Sequence, residues 1–240
     1  MKDNIYIFDN QDELAVKFAD QLMIWVKDHT ADAFHLAVSG GKTPDLLFSI
    51  LAKNHNHSPL WQKINFWWVD ERMVPPTDLE SNFGTANRLL FSKIMIPEQN
   101  IHRIRGENDP HLESVSYSKQ IKGKLTRQNS WPVFDLILLG MGDDGNTASI
   151  FPNQMHLLHS SQICEVASHP QSGQKRVTLT GSVINNSLKI CYIVTGQNKA
   201  DRLAEIWENN EKANLLPAAN IHPEIGQLAW YVDQAALQTG

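Results

Sequence analysis

The chain has 240 residues, of which 42% are hydrophobic and 20% charged, with a formal net charge of -5. This is enough apolar material for a full core, read as one α/β domain over residues 1–240, and it excludes a disordered or fibrous chain. The mild acidity and the absence of a long Lys/Arg block argue against a nucleic-acid or membrane-surface partner, so an anionic ligand must be met by a few local cations.

The first element is a helix, in which Asn10 and Glu13 form a capping-box arrangement ahead of Leu14, Phe18, Leu22 and Trp25 at helical spacing. A short buried strand at 34–38 follows. It runs into Ser39-Gly40-Gly41 and then Thr43-Pro44, where Thr43 suits an N-cap and Pro44 the first helical position. A second strand, 64–69, ends at Asp70-Glu71-Arg72, with Trp67 and Trp68 read as core packing. Helices are expected after Ser81 and after Asp109-Pro110. An apolar strand at 134–140 empties into a Gly-rich acidic turn and then a helix start. Later strands are expected at 163–167, 177–180, 188–195 and 228–232, with a helix over 198–207 and an irregular stretch, 208–227, that forms a loop over the site. Alternation of this kind predicts an α/β fold, a doubly wound, mainly parallel, Rossmann-like sheet flanked by helices.

Cys164 and Cys191 each lie in an apolar run with no CxxC or Cys/His metal spacing, the pattern of buried free thiols in a reducing compartment. No metal site is expected. The first residues lack an apolar signal-peptide core, and no apolar run approaches the ~20 residues of a membrane span, so the expected location is cytoplasmic.

Three segments carry chemistry. In AVSGGKTPDLL a Gly-rich turn leads into a capped helix, presenting unpaired N–H groups and the positive end of the macrodipole, a setting for phosphate to which Ser39 and Thr43 add hydroxyls. It is neither a Walker A loop nor GxGxxG, which disfavours nucleotides. Beyond the second strand, Asp70 and Arg72 share one face of an extended segment while Glu71 points to the other. The turn after the third strand places Asp143, Asp144, Asn146 and Thr147 at the carboxyl edge of the sheet, where ligands of such folds bind.

The run 134–152, FDLILLGMGDDGNTASIFP, closely resembles the GMGxDGHTASLFP signature of the 6-phosphogluconolactonases, except that Asn146 stands where the family pattern has its histidine. SGGKTP at 39–44, DERMVPPTDLESN at 70–82, RVTLT at 176–180, TGQNKADRL at 195–203 and LAWYVDQAAL at 228–237 extend the resemblance over nearly the whole chain. The related glucosamine-6-phosphate deaminases share the SGG-TP loop and the DG turn, but their second motif resembles DEY rather than DER. The resemblance implies hydrolysis of 6-phospho-D-glucono-1,5-lactone, a small phosphorylated sugar lactone of the oxidative pentose phosphate pathway, with no cofactor. It also implies phosphate binding by Ser39, Gly40, Gly41 and Thr43, with Arg176 and Lys199 as converging cations. In the family's mechanism the motif histidine is the general base on the attacking water, a task suited to imidazole. A carboxamide has no basic nitrogen at neutral pH, so Asn146 is left to hydrogen-bond a water or the oxyanion, and Asp143, Asp144 and Asp70 are the candidate bases, with Arg72 on the tetrahedral intermediate. His156, His159 and His222 are further candidates if the fold brings them near. The rival readings are an isomerase or deaminase in which Asp70 moves a proton along the sugar, and a catalytically weak sugar-phosphate binding protein.

Overall fold

The computed structural model describes residues 4–208 and 211–239. In chain order the elements begin with β1 (Asn4–Phe8), α1 (Gln11–Asp28), β2 (Phe34–Val38), α2 (Lys42–Asn54), β3 (Ile64–Trp68), β4 (Asp70–Arg72) and α3 (Asn82–Leu89). They continue with β5 (Ile101–His102), α4 (Pro110–Lys124), a small hairpin of β6 (Arg127–Gln128) and β7 (Trp131–Pro132), and β8 (Leu136–Leu139). The last are β9 (Cys164–Ser168), β10 (Lys175–Leu179), α5 (Gly181–Asn185), β11 (Lys189–Val194), α6 (Ala200–Trp207) and β12 (Gln227–Asp233).

Seven strands form one sheet in the order β1-β12-β11-β8-β2-β3-β5, and every pairing in it is parallel. Parallel strands at the centre of a sheet are buried on both faces. LILL of β8 is accordingly buried throughout, and FHLAV of β2 is buried except at His35. From β2 the chain proceeds to β3 and β5 on one side; from β8 it proceeds to β11 and β12 on the other. The order therefore reverses between β2 and β8, and the crevice beyond their carboxyl ends is the expected ligand position.

The strands at 163–167 and 177–180 are not in the parallel sheet: β10 pairs antiparallel with β9 on one side and with β4 on the other, in a second, three-stranded sheet. The N-cap of α2 is Gly41, at φ 115°, not Thr43, because only a residue without Cβ takes that backbone easily. No α-helix begins after the turn that follows β8. Thr147 and Ile150 exchange backbone hydrogen bonds, and a kinked 3-10 segment, Pro152–Leu158, comes next. In α1 the Asn10 side chain caps Asp12 and Glu13 as expected, while Glu13 reaches back to the N–H of Asp9 rather than Asn10. Within 208–227, 3-10 turns occupy Glu211–Leu215 and Pro217–Asn220; residues 209 and 210 lie outside the described residues. Cys164 and Cys191 are buried free thiols, each pushed up to about 12 chiefly by burial. Among the described residues no helix is long and apolar enough to cross a membrane.

On the edge strand β5, His102 stacks on Trp67 of β3 with centroids 4.0 Å apart, and its Nε2 is 2.9 Å from Asn65 Oδ1. Burial, with lesser contributions from Lys124 and His35, lowers its pKa to about 4 from 6.5. Between these two values the unfolded chain binds a proton that the folded chain refuses. This contribution to stability is thus complete above pH 6.5 and is lost as the pH falls toward 4, reaching up to about 3 kcal/mol. Urea titrations of wild type and His102→Gln from pH 7.5 to pH 4 should show a smaller acid loss in the variant. Parallel pH curves for the two proteins would refute the assignment. The comparison has to be with the variant because Glu71, buried and raised to about 7 from 4.5, runs the other way: the folded state holds its proton more tightly, so stability falls as pH rises between those values.

Candidate active site

Four segments leave the carboxyl ends of adjacent strands: Ser39-Gly40-Gly41 after β2, Gly140-Met141-Gly142 after β8, Asp70-Glu71-Arg72 just beyond β3, and Thr195-Gly196 after β11. Between them lie two clefts that share Gly40, Gly140 and Met141.

The larger, of about 470 Å³, is walled by Gly41, Lys42 and Thr43 at the start of α2, Gln11 at the start of α1, and Gly196, Asn198 and Lys199 ahead of α6. The N-terminus of the 13-residue α2 carries no side-chain cap, so its N–H groups stay available to an anion. Thr43 Oγ1 lies 2.9 Å from Thr195 Oγ1, tying the two strand ends together. Lys199 Nζ donates to Asp143 Oδ1, which also accepts from Asn198 Nδ2 at 2.8 Å, and the Lys199 bond holds the Asp143 carboxyl below its usual range. Asp143 is exposed, so its bond to the Lys199 ammonium is open to competition from other anions.

The smaller cleft, of about 230 Å³, holds Asp70, Arg72, Arg176, Asn82 and Asn146. Arg72 and Arg176 are direct cross-strand partners in the β4–β10 pair, so their side chains leave the same face side by side. Like charges in that position are unfavourable, and among the described residues neither guanidinium is within ion-pair distance of a carboxylate. Each has a buried Nε without a partner; Arg72 Nη1 donates to the Glu80 carbonyl and Arg176 lies over the Phe151 ring at 5.7 Å. Burial lowers the Arg176 pKa, Asp70 opposing and Arg72 adding. Two adjacent, underused guanidinium groups form a receptor for an oxyanion or carboxylate.

Glu71 points the other way, as its position in an extended segment requires. Its carboxylate accepts from the N–H groups of Arg72, Asn82 and Phe83, each at 2.8 Å, and from Ser81 Oγ at 3.2 Å. It therefore joins β4 to the N-terminus of α3 and holds Asn82, whose Nδ2 donates to the Asp70 carbonyl at 2.9 Å. Asn82 also explains Gly40: a Cβ there would lie 1.9 Å from Asn82 Oδ1.

The residues expected from sequence are thus divided rather than gathered at one point. Gly40 borders both clefts; Gly41, Thr43 and Lys199 serve the larger, and Ser39, Asp70, Arg72, Asn146 and Arg176 the smaller. Arg176 and Lys199 do not line the same cleft. The Ser39 hydroxyl is turned inward to the Leu138 carbonyl at 2.9 Å. Asp144 is exposed, lines neither cleft and accepts the Asn146 N–H at 3.0 Å, acting as a brace of the turn. Asn146 Nδ2 donates to the Ala148 carbonyl at 3.2 Å. His156, His159 and His222 are exposed, and none of the ten histidines lines either cleft. The loop of 211–220 lines neither cleft; it abuts the acidic turn, with Ala218 N donating to the Gly145 carbonyl at 3.0 Å. Asn82, Thr195 and Ser149 were not singled out from sequence. Ser149 is buried and donates to Asp70 Oδ2 at 2.7 Å across 79 positions of chain. Among the described residues no group of three or more His, Cys, Asp or Glu side chains is placed to hold a metal ion.

A family model described as glucosamine-6-phosphate isomerases/6-phosphogluconolactonase matches residues 9–230. The chain belongs to this family. A curated 6-phosphogluconolactonase of Haemophilus influenzae is 44% identical over 205 residues, covering 85% of this chain and 86% of the relative. One of Aggregatibacter actinomycetemcomitans is 41% identical over 235 residues, covering 97% and 98%. A crystal structure described as the devB protein superposes with a TM-score of 0.93 at 41% identity, covering 98% of both chains. Within this family, then, the acid-and-arginine cleft and the helix-terminus cleft are the features of this chain to be given roles.

Proposed function

We propose that the protein hydrolyses 6-phospho-D-glucono-1,5-lactone to 6-phospho-D-gluconate. The choice of a lactone is supported by similarity over 97% of the chain to a curated 6-phosphogluconolactonase. The two clefts supply the roles. The phosphate occupies the larger one, against the free N–H groups of α2 and the Lys199 ammonium. The lactone carbonyl enters the smaller one between Asp70 and the arginine pair.

Of the three candidate bases, Asp70 is the one that lines the smaller cleft; Asp144 lines neither and Asp143 is engaged by Lys199 in the other. Asp70 takes a proton from a water whose oxygen bonds to C1, and Arg72 and Arg176 stabilise the oxyanion that forms. The intermediate collapses with cleavage of the bond between C1 and the ring oxygen, which leaves as a hydroxyl after receiving the proton from Asp70. The carboxylic acid left at C1 gives up its remaining proton to solvent, and the resulting carboxylate stays beside the two arginines. Asn146 lends a hydrogen bond but no basic nitrogen.

Turnover of freshly generated lactone, corrected for spontaneous hydrolysis, tests this reading, and glucosamine 6-phosphate should release no ammonia under the same conditions. Deamination without lactone hydrolysis reverses the assignment. Separately, calorimetry should find that 6-phosphogluconate binds far better than gluconate and that Lys199→Ala weakens it by about 1.5–3 kcal/mol, the range for a charged hydrogen bond. Equal affinities of gluconate and its phosphate would remove the phosphate from the larger cleft.

A further inference from the structure

We propose that Ser149 is a positioning residue of this site, fixing the Asp70 carboxylate so that its second oxygen serves as base; the inference rests on the lactonase reading above. Ser149 is 0% exposed and lines neither cleft, so it does not touch substrate. Its hydroxyl gives its one hydrogen to Asp70 Oδ2 at 2.7 Å and offers a lone pair to Arg176 Nη1 at 3.5 Å. Asp70 Oδ1 has no hydrogen-bond partner among the described residues and belongs to a residue of the cleft wall. One oxygen is committed and the other is free.

The backbone is shaped to bring this hydroxyl to Asp70. Ala148 sits at φ 50°, a conformation that residues with a Cβ seldom adopt. Backbone hydrogen bonds between Thr147 and Ile150 close the turn around it. The Ser149 N–H donates to Thr178 Oγ1 at 3.2 Å, and Thr178 is the cross-strand partner of Asp70. Serine and aspartate are thus referenced to the same pair of strands. The need for such a device follows from the arginines. A carboxylate beside two unpaired guanidinium groups is drawn into an ion pair, which would neutralise it as a base and occupy the donors meant for the oxyanion. The bond from Ser149 holds Asp70 back from that collapse.

The test compares wild type, Ser149→Ala, Asp70→Asn and the double variant for steady-state hydrolysis, with 6-phosphogluconate affinity by calorimetry. Ser149→Ala should lower kcat about 10- to 100-fold, the effect of one hydrogen bond to a charged group, with KM and ligand affinity altered less than about 3-fold. In the Asp70→Asn background the same change should alter kcat less than about 2-fold, because a residue that acts through another has nothing left to act on. An unchanged kcat in Ser149→Ala of an active wild type overturns the inference and leaves the lactonase reading standing. So does a loss of equal size in both backgrounds, or a rise in KM alone. A wild type no faster than spontaneous hydrolysis overturns both. If Ser149→Ala does not fold, Ser149→Cys carries the same comparison with a similar shape and a weaker donor.

Discussion

Asp70→Asn is expected to lower kcat for lactone hydrolysis by about 10²–10⁴, the usual contribution of a positioned general base, while 6-phosphogluconate binds nearly as well as before. The substitution is close to isosteric, and the amide oxygen can still accept from Ser149, so the local packing around β4 and β10 is preserved. What it removes is, among the described residues, the one carboxylate that lines the smaller cleft. Binding is spared because the phosphate contacts belong to the larger cleft, built from α2 and Lys199. Rapid-quench or continuous titration of acid release, corrected for the spontaneous reaction, measures the loss. If Asp70→Asn retains the parental rate, proton removal belongs to another group, and Asp144, one residue from the turn's glycine and two from Asn146, is the first to replace.

The central strands were legible in the sequence because a strand buried on both faces must be apolar throughout, and the segments after β2, β3 and β8 announce themselves by Gly, acid and arginine where the apolar run stops. Pairing is another matter. Nothing in the periodicity of β9 and β10 distinguishes strands that join the parallel sheet from strands that turn aside to pair with each other and, through β10, with three residues of β4. β1 was missed because its exposed side chains give no one-sided pattern; Ile5, Tyr6 and Ile7 are all 44–52% exposed at the sheet edge. In the site, single residues were legible and their partnerships were not. Arg176 and Lys199 both read as phosphate cations, yet they line different clefts, which meet at Gly40, Gly140 and Met141. Ser149 and Asn82 read as ordinary members of their motifs, since their roles depend on contacts with Asp70 and Gly40 that spacing cannot express.

Asn146→His is expected to create a second base and, in the Asp70→Asn background, to restore about 10²–10⁴ in kcat. The geometry for this exists already. Asn146 Nδ2 donates to the Ala148 carbonyl at 3.2 Å, and the Nδ1 of an imidazole at this position takes nearly the same place. Donation from Nδ1–H to that carbonyl fixes the tautomer and leaves Nε2 unprotonated toward the smaller cleft, which Asn146 lines. With Asp70 intact the gain should be smaller, at most about 10²-fold, because a base is present and the imidazole adds only its better match to neutral pH. The rescued double variant should lose activity as the pH falls through roughly 6.5, since the imidazole must be neutral to accept a proton and protonation removes it. Affinity for 6-phosphogluconate should not follow that pH dependence, the phosphate lying in the other cleft. Failure of the histidine to rescue Asp70→Asn, with ligand binding retained, would place the attacking water beyond reach of the 146 side chain and restrict proton removal to the Asp70 side of the cleft.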